Sequence, residues 1–515
     1  MQELWQKYSE GKYTEVIQIG LKQMADNRIA DIMHLVGLAL VHEQKLVGAR
    51  SLLTTASILV PQPEWFCNAC TVLLEADPEA SLKFANDGLA RHPNNTELLK
   101  HKANALVCLG DKTRFREAIE IFDQCLETNN SADLILSKAN CLLDLADPIA
   151  AIACYDVVLQ HDPANVFAAL WKGRALMDMG KDEAEGWLEK GLGLIPEYDV
   201  LYGMLKLGKG EYPVGWKYYQ RRWDSKSDFF KSFARVKPFP NSLEEIKGKT
   251  VLITGEQGMG DRIQFIRFVP MMEQHAKIII LAHPSLERLF KHIYPTTRIV
   301  TERPPENEYD YEVGVMDQPL LLGTTLENIP SEPYIHFPND VSYPTTDMFD
   351  YKTTKRLRVG LCWAGQNKTE FSEIDARRSI DVHNLAPLIN EGANFVSLQK
   401  DHFNYDMSNP VHDHCFDYMD TARVISGLDL VITVDTSVAH LAAAMGKPVW
   451  LLARHAGCWR WLQDRSDSPW YPTLRIYRQP PPANGEAFST DWKSVIEQVR
   501  ADLEQLIEGF EECEI

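Results

Sequence analysis

The first two hundred residues repeat one pattern of apolar positions, in which an alanine is followed four residues later by a large apolar side chain. The pattern occurs as Ala49 with Leu53, Ala80 with Phe84, Ala118 with Phe122, Ala151 with Tyr155 and Ala184 with Leu188, and Gly215 with Tyr219 continues it. Successive pairs stand roughly 31 to 38 residues apart. Residues four apart share one face of an α-helix, so each pair predicts a helix with a small residue at its contact surface.

A second set of small residues predicts a partner helix for most of these units. Gly37, Ala103, Ala139 and Gly173 lie inside apolar stretches such as HKANALV. The units end near prolines at positions 93, 163 and 196. Paired helices that recur about every 34 residues resemble the tetratricopeptide repeat, which buries its apolar faces by stacking into a superhelix. We expect an α-solenoid over residues 1–223, whose groove binds a protein partner; the alternative is a scaffold or dimerisation arm.

Beyond Trp223 the pattern changes to short β-branched runs that alternate with helical stretches. Candidate strands are TVLITG, KIIILA, RVGLCWAG, NFVSLQ, DLVITVD and PVWLLA. Such alternation predicts parallel sheets with crossover helices. A proline-containing stretch of mixed charge, Pro330 to Lys355, separates the strands into two clusters. The expected domains are therefore 224–345, 346–488 and a C-terminal helix in 489–515, giving an α plus α/β multidomain chain.

Composition limits the classes of partner. The net charge of -19 disfavours nucleic acid and anionic membranes, and no apolar stretch is long enough for a membrane helix. We expect a cytoplasmic protein with reduced cysteines. Cys67 and Cys70 form a C-x-x-C motif without a second pair of ligands, so we interpret them as buried small residues. His412 and His414 are interpreted as solvated loop residues, and no metal site is predicted.

A glycine-rich loop follows the first strand. The sequence GEQGMGD contains Gln257, Gly258 and Gly260 and ends at Asp261. Glycines let a backbone approach a ligand closely, but the order is neither the dinucleotide fingerprint nor a P-loop. Asp261 reads either as a helix N-cap or as a general base that faces a cleft, and the motif alone favours the cap.

A second helix start follows a later strand, in VDTSVAHLAAAMGKPVW. The free backbone N–H groups and the dipole at this helix start suit a diphosphate. Ser437 and His440 lie on one face of the predicted helix and would contact the same anion. The alternative is that the residues at this helix start only cap the helix while His440 packs into the surface between the two strand clusters.

Cations near two other strand ends are further candidates. Lys368, Arg377 and Arg378 follow the strand that ends at Trp363, and Lys400 ends SLQK. A solvated charge run is the plain interpretation. A cation that faces a diphosphate leaving group would instead stabilise the transition state without a metal.

Taken together, these stretches resemble bacterial tetratricopeptide-repeat glycosyltransferases related to the heptosyltransferases of glycosyltransferase family 9. The resemblance covers residues 210–480 and is carried by GEQGMGDRIQFIRF, GLCWAG, D-x-x-R-S at residues 375–379, FVSLQK, the stretch 416–450 and WRWLQDRSDSPWYPTLRIYRQ. It implies the two-lobed GT-B fold, with two Rossmann-like doubly wound lobes. The N-terminal lobe would bind the acceptor and the C-terminal lobe the nucleotide-sugar, which is a substrate rather than a cofactor.

The resemblance also assigns roles to residues. Asp261 matches the proposed catalytic base, which now favours the catalytic interpretation. The residues that match or flank the donor site are Trp363, Gly365, Arg378, Lys400, Asp435, Thr436, Ser437 and His440. Similar sequences carry a histidine shortly before D-x-x-R-S, whereas this chain reads TEFSEID. A donor contact is therefore missing or moved.

Flagellin-modifying transferases share the layout of repeats followed by a transferase, which favours a protein acceptor. The expected reaction is metal-independent, inverting transfer to a Ser or Thr hydroxyl, with Asp261 as the base. Two alternatives stay open: a heptosyltransferase of the lipopolysaccharide core, and a repeat adaptor whose transferase half is inactive.

Overall fold

The computed structural model describes the chain except for residues 24–28, 225–234, 338–355, 366–376, 390–391, 401–414, 484 and 513–515, and it describes no side chains beyond Phe510. The described residues form two compact units. Met1–Lys172 makes up the first, and the second begins at Gly173.

The first unit is entirely helical in its described residues. Its helices are α1 (Gln2–Ser9), α2 (Tyr13–Gln23), α3 (Ile29–His42), α4 (Leu46–Leu59), α5 (Pro63–Leu74), α6 (Pro78–Arg91), α7 (Thr96–Leu109), α8 (Lys112–Leu126), α9 (Ala132–Asp144) and α10 (Pro148–His161), and α11 (Val166–Asp178) runs across the boundary. None of the helices in the described part of the chain is both long and apolar enough to cross a bilayer.

Short polar side chains begin several of these helices. Asp77 accepts a hydrogen bond from the Ala80 backbone N–H at 2.9 Å, and Asn95 accepts one from Leu98 at 2.9 Å. Asp147 caps α10 in the same way. Each cap satisfies a backbone donor that the helix leaves unpaired, and its removal costs about 1 kcal/mol.

The predicted small residues lie at the helix contacts. A Cβ on Gly37 would stand 2.7 Å from Leu53 Cγ, so α3 packs on α4 only because this position has no side chain. Ala49 and Leu53 are fully buried as the pattern predicts. In α6, however, the fully buried pair is Ser81 and Ala85, whereas Ala80 and Phe84 are only half-buried. The pattern there is correct in period but displaced by one residue.

The second unit begins with further helices of the same kind. These are α12 (Ala184–Glu189), α13 (Pro196–Gly208) and α14 (Tyr212–Tyr219), followed by a 3-10 turn at Gln220–Asp224. A Cβ on Gly203 would lie 2.5 Å from the Tyr219 backbone nitrogen, so α13 and α14 are in close backbone contact.

Two sheets follow, and most of their strands are parallel. The strands are β1 (Thr250–Thr254), β2 (Lys277–Leu281), β3 (Arg298–Val300), β4 (Tyr311–Gly314), β5 (Leu357–Cys362), β6 (Ala393–Ser397), β7 (Leu430–Val434), β8 (Val449–Ala453), β9 (Asp467–Ser468) and β10 (Tyr471–Arg478). The first sheet has the order β3-β2-β1-β4, and the second has β6-β5-β7-β8-β10-β9. Only β9 runs antiparallel to its neighbour among these described strands. The helical repeat region is thus followed by an α/β region with parallel sheets, as predicted.

Helices connect these strands. They are α15 (Met259–Phe265), α16 (Val269–Glu273), α17 (Glu287–Ile293), α18 (Gln318–Leu321), α19 (Tyr418–Ser426), α20 (Ser437–Ala444) and the final helix α21 (Trp492–Glu512). All six strands expected from sequence are present, whereas β3, β4, β9 and β10 were not predicted. In β4 the cause is Glu312, a fully buried carboxylate paired with Arg303 at 2.7 Å, which interrupts the apolar pattern.

The last repeat helix shares one apolar core with both sheets. Trp216 of α14 packs edge-on against Phe265 and Trp459, with ring centroids 5.9 and 5.4 Å apart. The Trp470 indole N–H donates to the Tyr212 hydroxyl at 2.9 Å. Helix α14 is therefore built into the α/β region instead of being joined to it by a free linker.

A buried ion network fixes the turn after α14 to the first sheet. Arg222 is paired with Glu256 at 2.6 Å and with Asp317 at 2.8 Å, and all three side chains are about 1% exposed. Asp317 also accepts hydrogen bonds from Trp223 and Arg235. Burial alone would lower the pKa of Arg222, but the two carboxylates outweigh burial and the net shift is upward.

Removal of one member of this network should destabilise the second unit strongly. Arg222→Met leaves Glu256 and Asp317 buried without their main cation, so we expect a loss of about 3 to 5 kcal/mol in unfolding free energy. Urea denaturation followed by tryptophan fluorescence measures the change. Arg298→Met, which removes an exposed pair with Glu308, is the matched control and should cost at most about 1 kcal/mol. Equal losses in the two variants would contradict the importance of the network.

Candidate functional site

The strand orders locate the loops where a ligand would bind. In open parallel sheets, ligands bind beyond the carboxyl ends of the strands, where the strand order reverses. In the second sheet this point lies between β5 and β7, so the loops that begin at Trp363 and Asp435 flank it. In the first sheet it lies between β1 and β4, and the glycine-rich loop follows β1.

The glycine-rich loop meets the start of α20. A Cβ on Gly260 would lie 2.8 Å from His440 Cδ2 and 3.4 Å from Ser437 Cα. Helices α15 and α20 therefore approach each other closely because residue 260 is a glycine. The structure thus brings together two groups of predicted site residues, Gly258–Asp261 and Ser437–His440.

Asp261 has partners for both carboxylate oxygens. Oδ2 accepts a hydrogen bond from the Gly258 backbone N–H at 2.8 Å, which caps α15. Oδ1 is paired with Arg460 at 2.5 Å, and the Asp261 side chain is 17% exposed. Asp261 is thus the third residue of α15 and not its N-cap, as the capping alternative had it; it bonds back to the N-cap residue Gly258, and its carboxylate also borders solvent at the junction of the two sheets.

Arg460 was not predicted as a site residue. Its side chain is buried, and its Nε donates to Gln264 Oε1 at 3.0 Å. Burial is the largest single influence and lowers the pKa of Arg460, but Asp261, Cys458 and Tyr219 together outweigh it and the net shift is upward. Arg460 therefore stays charged beside the Asp261 carboxylate. The sequence feature that could have indicated Arg460 is the pair of tryptophans on either side of it, Trp459 and Trp461.

Gln257 connects the loop to the last repeat helix. Its φ of 57° lies in the left-handed region, which costs energy for a residue other than glycine. Its side-chain amide donates to the Tyr219 hydroxyl at 2.6 Å, and Tyr219 belongs to α14. Contacts outside the loop thus hold it in this conformation.

Two hydroxyls lie at the start of α20. Thr436 Oγ1 is 3.2 Å from Thr433 Oγ1 and 3.7 Å from Cys362 Sγ. Ser437 Oγ is 2.8 Å from the Tyr418 hydroxyl. Both residues, like Asp435, are partly exposed at the carboxyl edge of the second sheet. This edge offers hydroxyl groups together with the first backbone N–H groups of α20.

His440 is a buried packing residue in this structure. Its Nδ1 is 3.0 Å from the Tyr471 hydroxyl, and its ring stacks on Trp461 with centroids 5.0 Å apart. Burial, reinforced by Arg460 and Arg267, lowers the pKa of His440 well below its usual value, so the imidazole is neutral. The geometry agrees with the packing interpretation of this residue, while contact with a donor stays a prediction.

The loop after β5 carries three further predicted residues. Trp363 is buried, and its carbonyl accepts a hydrogen bond from Ile380 N–H at 2.8 Å. The Arg378 guanidinium lies directly against Gly365, because a Cβ there would be 3.0 Å from Arg378 Nε. Among the described residues Arg378 makes no hydrogen bond or ion pair. It is thus available to an anion at this edge.

Gln399 is a second residue that sequence reasoning missed. Its side-chain amide accepts from Ala364 N–H at 3.1 Å and donates to the Ala364 carbonyl at 3.0 Å. This pair of bonds joins the loops after β5 and β6. The neighbouring Lys400 is exposed, and its ammonium donates to the Cys415 carbonyl.

Of the other predicted candidates, only Arg377 is among the described residues. The Arg377 guanidinium lies 3.2 Å from the Phe488 ring centroid. Lys368, Asp375 and both His412 and His414 fall outside the described residues. In the part of the chain that the structure describes, no three His, Cys, Asp or Glu side chains cluster as metal ligands would.

Comparison with known proteins gives one family and one relative. Residues 418–452, which run from α19 to β8, match glycosyltransferase family 9 (heptosyltransferase). Protein FlbA of Caulobacter vibrioides is 24% identical over 445 residues, which cover 78% of this chain and 72% of FlbA.

Solved tetratricopeptide repeat proteins match part of the chain. A tetratricopeptide repeat protein from Parabacteroides merdae covers 45% of this chain and 94% of its own, with 18% identity and a TM-score of 0.39. The C-terminal part of a repeat protein from Cytophaga hutchinsonii covers 46% and 99%, with 13% identity and a TM-score of 0.36. The sequence similarities indicate a glycosyltransferase that joins tetratricopeptide-like repeats to a domain similar to family 9.

Proposed function

We propose that the chain transfers a sugar from a nucleotide-sugar to a Ser or Thr hydroxyl of a protein, with the two sheets acting as the two lobes of a GT-B transferase. The observation that carries this proposal is the junction between α15 and α20. There a partly exposed carboxylate, Asp261, lies beside a helix start at the carboxyl edge of the second sheet.

The donor diphosphate would bind at the start of α20. Backbone N–H groups and the helix dipole favour an anion there, and the hydroxyls of Thr436 and Ser437 add donors. Arg378 supplies a cation that has no other partner in the described residues. A local cation matters because the net charge of -19 repels an anionic substrate.

Asp261 would act as the base. It removes the proton of the acceptor hydroxyl while that oxygen attacks the anomeric carbon in line. The bond from the anomeric carbon to the diphosphate breaks, the diphosphate keeps the electron pair, and the anomeric configuration inverts. Arg460 is paired with one oxygen of Asp261, so the acceptor hydroxyl must share the carboxylate with Arg460. No step in this scheme requires a metal.

A protein acceptor is supported by the helical repeats, since stacked helix pairs form extended concave surfaces. Flagellin is the first acceptor to test, and the cytoplasm, where the chain is expected, is the proposed place of the reaction. A core heptosyltransferase is distinguished by transfer to lipid-linked oligosaccharide instead of protein.

One observation favours a second candidate function, a repeat adaptor without activity. Both carboxylate oxygens of Asp261 already have partners in the protein, and His440 is buried. The same contacts are expected of a transferase domain that has lost its catalytic activity. Such a domain would bind its partner but release no nucleotide from any donor.

The base role predicts a large loss of activity for Asp261→Asn. The variant keeps an acceptor for the Gly258 N–H but cannot take the proton, so transfer should fall about a hundred- to ten-thousandfold. Intact-mass spectrometry of flagellin and other surface proteins, from cells that carry each variant, measures the transferred sugar.

The matched control is Asp381→Asn, which weakens another aspartate cap, on His383 N–H, away from the junction. It should leave the acceptor mass unchanged. Sugar transfer by Asp261→Asn at the native level would refute the base role, and an acceptor mass that never differs from a deletion strain would favour the adaptor.

The donor site predicts weaker nucleotide binding for Arg378→Met. Loss of a charge-assisted bond to the diphosphate should reduce the affinity about ten- to a hundredfold. Calorimetric titration with ADP, UDP, GDP and CDP measures the affinity and identifies the base. Arg377→Met, at the adjacent residue whose guanidinium lies over Phe488, is the control and should bind as the native chain does. An unchanged affinity in Arg378→Met would exclude this arginine from the donor site.

A further inference from the structure

A small cavity lies at the carboxyl ends of β1 and β2, on the other side of α15 from the Asp261 junction. It is a shallow cleft, and the empty space between its walls comes to about 210 Å³ only when the open solvent at its mouth is included. Its walls are mainly apolar, and they include Ile253, Ile280 and Phe290. The two polar side chains that line it are Arg262 and His283, and no carboxylate does.

Arg262 has no partner in the described part of the chain. It makes no hydrogen bond and no ion pair there, and its Nε is fully buried. The two carboxylates that act on Arg262 form salt bridges with other arginines, Asp261 with Arg460 and Glu256 with Arg222. Burial lowers the pKa of Arg262, and these carboxylates compensate only in part. This cation has therefore lost water without gaining an anion.

The backbone leaves room for this side chain at one position. A Cβ on Gly255 would lie 2.2 Å from Arg262 Nη1 and 2.7 Å from Arg262 Cζ. Any other residue at 255 would push the guanidinium out of its position. Gly255 has no φ in the left-handed region, so its backbone conformation does not require a glycine. The glycine is needed because the Arg262 guanidinium occupies the space of a side chain.

His283 adds a neutral donor to the same cavity. The Ser285 backbone N–H donates to His283 Nδ1 at 3.2 Å, so Nδ1 is the acceptor and Nε2 carries the proton. Burial, and then the nearby charge of Arg262, lower the pKa of His283 and keep it neutral near pH 7. A guanidinium together with an imidazole N–H suits an oxyanion.

We infer that this cavity binds an oxyanion of the acceptor, a carboxylate or a phosphate, through Arg262. The inference deepens the proposed function. Asp261 and Arg262 are consecutive residues in the first turns of α15, so the Asp261 junction and the cavity border the same helix start on different sides. The transferase would then select hydroxyls with an acidic group nearby.

Thermal denaturation with inorganic phosphate tests the site without any transfer reaction. The measurements use the Arg378→Met background, which removes the cation of the proposed donor site. Phosphate at millimolar concentration should raise the melting temperature of this protein. The added Arg262→Met change should abolish the phosphate response, and without phosphate it should leave the melting temperature equal or higher, because an unpaired buried cation is removed.

Two further variants make the result decisive. Arg262→Lys keeps the charge and should retain part of the phosphate response, whereas Arg298→Met, which removes an exposed arginine of β3, should retain all of it. A phosphate response that persists in Arg262→Met, or that is absent from the start, would overturn the inference. Neither result depends on whether the chain transfers sugar, so failure here is distinct from failure of the proposed function.

The source of the oxyanion is tested with two probes that compete with phosphate in the same assay. One is a serine peptide flanked by glutamates, with a glutamine-flanked peptide as its neutral match, and the other is a hexose phosphate. Displacement of phosphate by the glutamate peptide alone assigns the site to an acidic polypeptide. Displacement by the hexose phosphate alone assigns it to a phosphorylated acceptor. Competition by neither probe would overturn the acceptor assignment.

Discussion

The ion pair between Asp261 and Arg460 is the interaction on which the candidate site depends. It joins the start of α15, at the first sheet, to the turn before β9, at the second sheet. Two charges can be buried at such a junction only when they neutralise each other and their remaining groups are bonded. The Gly258 N–H and Gln264 satisfy those groups. The same pair holds the Asp261 carboxylate at the edge of the site, so one contact fixes the position of this side chain relative to both sheets.

Helix α14 imposes a second constraint. Its residues contact Gln257 of the glycine-rich loop, and they contact Trp459 and Trp470 beside the second sheet. The turn that follows it is fixed to the first sheet through Arg222. A change in the position of α14 would therefore alter the loop that carries Asp261. The final repeat is a structural part of the α/β region, which explains why the chain divides near Gly173 and not where the repeats end in sequence.

Local features of the structure were predictable from sequence, whereas long-range pairs were not. The repeats and six strands could be predicted from the spacing of apolar residues, because a helix or strand that buries one face carries apolar side chains at regular intervals. The first residues of α15 and α20 follow from glycine and hydroxyl spacing. Arg460 and Gln264 are 196 residues apart in sequence, and their contact leaves no periodic signal. Strand β4 was missed because its buried Glu312 reads as an exposed position until Arg303 is placed beside it.

Four buried or partly buried arginines fall into two classes, according to whether they have a carboxylate partner among the described residues. Arg222 and Arg460 lie deep in the protein and each holds a carboxylate, so their charge is used within the fold. Arg262 and Arg378 lie at strand ends, each against a glycine, without such a partner among the described residues. One such cation at the edge of each sheet is the arrangement expected if the proposed donor and the proposed acceptor each bring an anionic group to the site.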